Sequence, residues 1–149
     1  MRTPPLTLAQ ACTIIDAALA HARRDGLAPL VVVVLDAGGH LIACKREDGA
    51  GFARLDLAHG KAWGALGMGF GSRELAERAE QFPTFFAALA TTSRGRMVPS
   101  PGGVLIVAAD QSCVGAVGVS GDAGDHDEAC AITGIEAIGL RASPGVLEG

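Results

Sequence analysis

A chain of 149 residues, 49% hydrophobic and 19% charged, has the length and composition of one folded domain, expected to span 1–149 with its core at about 6–142. A net charge of −4 with no clustered Lys and Arg argues against nucleic acid as a partner, because phosphate neutralisation needs a basic surface. The longest apolar run, Ala28 to Leu35, is too short to cross a membrane, and the first residues carry no apolar signal segment, so a cytoplasmic location is expected.

Thr7 is placed as the N-cap of a first helix over about 7–25. Leu8, Ala11, Cys12, Ile15, Ala18, Leu19 and Ala22 recur behind it at helical spacing, and Gly26 stops it. The β-branched run Leu30 to Leu35, the turn residues Asp36 to Gly39 and the run His40 to Arg46 predict a β-hairpin. Its first strand is apolar at every position, which predicts cover on both faces.

A second helix is predicted over 52–69 with two apolar rows. One is Leu55, His59, Ala62, Trp63 and Leu66, and the other is Leu57, Ala58, Lys61, Gly64, Ala65 and Met68. A helix apolar on two sides needs two covers, here the sheet and a second subunit. Ser72 is expected to cap a third helix, followed by a short aromatic helix or turn at Phe82, Phe85, Phe86 and Leu89. Residues 91–103 are read as a loop with one short strand near 97. Gly103 to Ala108 and Cys113 to Val119 form a second predicted hairpin, and a last helix over about 125–142 ends in a frayed tail from Ser143. Two hairpins separated by helices imply an antiparallel sheet with helices packed on it, an α+β fold, and the absence of a βαβ crossover excludes a dinucleotide-binding fold.

Few residues offer chemistry. Cys12, Cys44, Cys113 and Cys130 are widely spaced with no C-x-x-C, so they read as reduced thiols, not as a metal or redox pair. From Gly118 to Gly124 the chain passes through Ser120 and Gly121 into the acidic helix start Asp125, His126, Asp127 and Glu128. Glycines there suit a tight turn, and free N–H groups beside Ser120 equally suit an acidic or polar ligand group. Acidic residues complement the helix dipole, whereas a cationic imidazole does not. The dipole favours a neutral His126, able to ligate iron or act as a base, while neighbouring carboxylates pull the other way. His59 reads either as a core or interface histidine hydrogen-bonded to backbone, or as a haem or metal ligand or a polar group in an apolar pocket. Lys61 either snorkels to water or meets a ligand carboxylate, and Arg94 and Arg96 are either solvated or near an anionic group. Neither a nucleophile elbow nor an H-x-x-x-H pair is present.

Gly115-Ala-Val-Gly-Val-Ser-Gly121 followed by Asp127-Glu-Ala-Cys-Ala131 resembles the signature of the GlcG/HbpS-like, haem-degrading domain family. Thr7 to Ala11, Val31 to Leu41, Ala58, Lys61-Ala62 and Pro99 to Gly103 resemble the family's opening helix, first hairpin, central helix and later loop. The resemblance implies a profilin-like α-β-α sandwich with a five-stranded antiparallel sheet, homo-oligomers and, in some members, haem. The expected function is a cytosolic, oligomeric haem-binding protein, with haem degradation as its extension. In that reading His126 or His59 is the iron ligand and Lys61, Arg94 or Arg96 meets the propionates. The alternative is an enzyme or binder for a small organic acid, with His126 as base, Asp127 orienting it, and the Ser120 and Gly121 N–H groups holding an oxyanion.

Overall fold

The computed structural model describes residues 2–147. Helix α1 covers Leu8–Arg24, and Thr7 caps it as expected: its hydroxyl accepts from the Gln10 N–H at 3.1 Å while the Gln10 side chain accepts from the Thr7 N–H at 3.0 Å. Strands β1 (Val31–Asp36) and β2 (Leu41–Arg46) form the first hairpin, and β3 (Gly103–Val107) and β4 (Cys113–Ser120) the second. Between them lie α2 (Ala53–Met68), α3 (Ser72–Gln81) and α4 (Pro83–Thr92), and after them α5 (Gly124–Glu136) and β5 (Arg141–Ser143).

The five strands make one antiparallel sheet in the order β2-β1-β4-β3-β5. Strand alternation sends Val32, Val34, Val104, Ile106, Val117 and Val119 to one face, where α1 and α5 cover them. Val31, Val33, Leu35, Leu105, Val107 and Ala116 go to the other face, beneath α2. Both faces of β1 are therefore buried, which accounts for its unbroken apolar run. The result is the α+β, profilin-like sandwich anticipated above.

Several expectations need correction. No strand forms near 97; the fifth strand is Arg141–Ser143, which pairs with β3 in the tail that was read as frayed. The last helix stops at Glu136 because Gly139 takes φ +75° and turns the chain back to the sheet. Ser72 is the first residue of α3, not its cap; Gly71 is the cap. The Ser72 hydroxyl points inward, donating to the Ser100 carbonyl at 2.6 Å and accepting from the Gly103 N–H at 2.7 Å. The outer side of α2, assigned to a second subunit, is partly covered by the chain itself: the segment Arg96–Val98 lies against Gly60 and Gly64.

Glycine brings α2 close to the sheet. A Cβ at Gly118 in β4 would collide with the Ala58 carbonyl, and one at Gly103 in β3 with the Lys61 carbonyl. Lys61 and the end of β4 are brought together by this contact.

Candidate functional site

The candidate residues expected from sequence divide into three places. The first lies where β4 ends and α5 begins. Lys61 enters from α2 with only 5% of its surface exposed, and its ammonium donates to the Val119 carbonyl at 2.9 Å and to Asp127 Oδ2 at 3.1 Å. Asp127 is fully buried, and its other oxygen accepts the Asp122 N–H at 3.0 Å, closing the turn that leads into α5. Burial pushes the Lys61 ammonium down and the Asp127 carboxyl up from their ordinary values; each is opposed by the charge of the other. Ser120 is also buried, its hydroxyl 3.4 Å from Arg54 Nη1. Gly121, at φ +153°, packs against the Pro29 carbonyl and Leu30, which leaves no room for a side chain there. Lys61, Asp127, Ser120 and Gly121 thus form a closed, internally satisfied cluster.

His126 is separate from it. It points outward from the first turn of α5, its side chain 58% exposed, with Nδ1 2.7 Å from Asp122 Oδ1. The carboxylate that orients this imidazole is therefore Asp122, not Asp127, which follows His126 in the helix and is turned inward. Asp122 accepts from the Ala28 N–H and the Ala123 N–H, both at 2.8 Å, and the first of these leads in holding its carboxyl down at about 2. The Asp122 hydrogen bond leads in raising the His126 pKa above its ordinary value, with the charges of Asp122, Asp125 and Asp127 adding to it. His126, His21, Asp25, Leu27 and Ala129 line a cleft of about 310 Å³ between α1 and α5. His21 contacts Asp25 at 3.2 Å and Thr133 at 3.3 Å. Among the described residues, no three His, Cys, Asp or Glu groups meet as a metal site.

The third place is the flank of α2. His59 is half-buried, one turn before Trp63 on the same side of the helix. Trp63 lies beside Gly39 of the first hairpin turn, and the Arg96 guanidinium stacks 4.3 Å from its ring centroid. Helix α2 packs on β1, β4 and β3 but leaves β2 largely bare. Leu41 and Cys44, paired with Leu35 and Val33, face this uncovered corner, and Leu41 is 56% exposed. The uncovered strip of β2 and the adjoining flank of α2, which carries His59 and Trp63, form an open shelf; where it meets the hairpin turn, Ala37, Gly38, Gly39, Trp63, Leu66 and Gly67 line a cleft of about 170 Å³. A separate open depression of about 780 Å³ lies at the hairpin-turn end of the sheet, lined in part by Pro4, Pro5, Asp36, His40 and Asp110.

Sequence reading missed Asp122 and the role of Trp63. The four-residue spacing of Asp122 and His126 carries a signal for the first. The contact between Trp63 and Arg96 joins a helix to a distant loop and has none.

An antiparallel five-stranded sheet between helix layers, with a buried Lys–Asp pair at the end of its central strand, defines a small profilin-like α+β domain. The family model described as "Haem degrading protein HbpS-like" matches residues 6–136, and the chain belongs to that family. A Citrobacter freundii protein, described as an uncharacterized 15.0 kDa protein of the dhaT-dhaS intergenic region, is 29% identical over 131 residues, covering 88% of this chain and 90% of its own. The crystal structure of a PduOC:haem complex superposes with a TM-score of 0.83 at 27% identity, covering 92% of this chain and 97% of that one. A double mutant of Streptomyces reticuli HbpS gives a TM-score of 0.77 at 31% identity, with 93% and 90% covered. No helix among the described residues is long and apolar enough to cross a membrane.

Proposed function

We propose that this protein binds haem on the shelf beside α2 and works as an assembly of identical copies. The observation that carries this reading is the Arg96–Trp63 stack on the flank of α2 that, one turn earlier, also carries the half-buried His59. These residue types fit a haem: an imidazole for the iron, an aromatic wall for the ring and a guanidinium for a propionate. Bound haem would supply an iron centre for redox or ligand chemistry. The shelf is apolar through Leu41 and Leu55, so it suits a flat, mostly apolar ligand. Lys61 is enclosed by Asp127 and Val119, so its part in this reading is to hold α2 against β4 and α5. The haem complex of the PduOC neighbour and the family's description support the choice of ligand.

Hemin titration tests the proposal. A saturable Soret shift is expected for the wild type, weakened at least about tenfold by His59→Ala and unchanged by His126→Ala, a tenfold loss being the 1.4 kcal/mol expected of a significant contact. A wild type that gives no shift overturns it. Degradation of the bound haem belongs to the same reading, and its mark is bleaching of the Soret band when a reductant and dioxygen are supplied.

A small organic acid is the second reading. It is favoured by the exposed His126–Asp122 pair at the α1–α5 cleft, where His126 serves as acid or base. A small acid retained through purification and detected by mass spectrometry would support it.

A further inference from the structure

The hairpin-turn end of the sheet is crossed by the segment that precedes α1. Residues 2–6 run past the β3–β4 turn and are fixed there at two points. Thr3 donates its hydroxyl to Asp110, a carboxylate already held by the Ser112 N–H at 3.0 Å and the Ser112 hydroxyl at 2.6 Å. Leu6 is buried in the core beside Gly115. Between these anchors Pro4 and Pro5 hold the backbone extended and carry no N–H, so the segment is a stiff wall. It borders the open depression of about 780 Å³ and also a second hollow, of about 450 Å³, between the segment, the β3–β4 turn and the chain entering β5.

We propose that this second hollow binds a small monocarboxylate with an aliphatic tail. Its volume falls within the roughly 300–1,000 Å³ of small-molecule sites. Its walls are apolar, built from Pro4, Pro5, Leu6, Ala109, Val114 and Leu140. Among the described residues no aromatic side chain lines it, so a flat ring has no stacking partner and an aliphatic body fits better. The polar groups set the sign of the ligand's charge. Arg2 lines the hollow, and Arg141 follows Leu140, its guanidinium donating to Gln111 Oε1 of the β3–β4 turn at 2.7 Å. Among the described residues neither arginine meets a carboxylate. Asp110 is the only acid among the described lining residues, and its oxygens already accept from Thr3 and Ser112. Two unpaired guanidinium groups beside one satisfied carboxylate favour an anion, and a guanidinium fork matches a carboxylate.

This site shares a ligand class with the organic-acid reading above but not its place. The His126–Asp122 pair lies at the α1–α5 cleft and the haem shelf beside α2, and neither lines this hollow.

Titration of the full-length protein with hexanoate, followed by methyl NMR, tests this. Saturable shifts are expected at the Leu6, Val114 and Leu140 methyls. Hexanol, which has the same tail and no charge, is expected to bind at least about tenfold more weakly. Replacing both arginines, Arg2→Gln with Arg141→Gln, should bring hexanoate down to the affinity of hexanol. Leu140→Trp, which fills the hollow, should abolish the hexanoate shifts at Leu6 and Val114. Should that variant fail to fold, the wild-type shifts and the hexanol comparison still decide. No hexanoate shift at the three methyls overturns the proposal, and the organic-acid reading of the cleft survives that result, because its own test is an acid retained through purification. Shifts that appear instead at Leu27 and Ala129 and vanish in His126→Ala put the acid in the cleft and overturn this site alone. Hexanol binding as tightly as hexanoate overturns the assigned ligand class.

Discussion

At the scale of single residues, the buried Lys61–Asp127 pair decides how the family's signature segment is built. Two charges out of water are tolerated because each has a second partner, Val119 for the ammonium and the Asp122 N–H for the carboxylate. Removing one charge leaves the other buried alone. Lys61→Met is expected to cost about 3–5 kcal/mol in urea denaturation, and adding Asp127→Leu should recover part of that loss. The Asp122–His126 pair acts on stability through pH. The folded-state pKa of His126 is raised above 6.5, so its contribution is complete below 6.5 and is lost as pH rises through the folded value. Asp122 is held at about 2 against an ordinary 3.8, so its contribution is present above 3.8 and is lost as pH falls through about 2. The urea midpoint should therefore decline from pH 6 to pH 8.5, and His126→Ala should flatten that decline. An NMR titration placing the His126 pKa at or below 6.5 would contradict this. Thiol reactivity should also divide by position. Burial pushes the Cys130 thiol up to about 12, so a thiol reagent should label exposed Cys44 in the native protein and reach Cys130 only on unfolding. Sequence reading named Lys61, Asp127 and His126 as candidate site residues, but the direction in which each side chain points depends on tertiary contacts. Asp127 and His126 are adjacent, yet one is buried and the other faces water.

At the scale of elements, local chemistry was readable where it was self-contained. The Thr7 N-cap, the Asp36 to Gly39 turn and the apolar β1 each carry their cause within a few residues. The short strand expected near 97 and the frayed tail were misread for the same reason. A three-residue strand such as β5 has too little pattern to announce itself, and its existence depends on the free edge of β3. The seat of α2 on the sheet depends on Gly118. Gly118→Ala is expected to destabilise by about 3 kcal/mol, the upper end for overpacking, because the obstacle is the backbone carbonyl of Ala58 and not a movable side chain. Ser72→Ala should cost about 1–3 kcal/mol, since it leaves the Gly103 N–H and the Ser100 carbonyl without their shared partner. Thermal or denaturant melts of the two variants measure both effects.

At the scale of the whole molecule, the fold was legible and the proposed ligand shelf was not. Hairpin spacing and the family signature led directly to a five-stranded sheet between helices. The shelf, by contrast, joins α2, β2 and Arg96, which are distant in sequence and meet only after folding. The sheet order has a further consequence for how the protein is made. Each residue of β1 waits for a partner in β4 that lies roughly eighty to ninety positions further along the chain. While a ribosome is still translating that interval, the five apolar residues Val31 to Leu35 have a strand neighbour on one edge only. A nascent chain that stalls before Cys113 therefore keeps a sticky open edge, and such fragments should aggregate or recruit chaperones. A chain released after Ser120 already holds both central partners and should escape that fate.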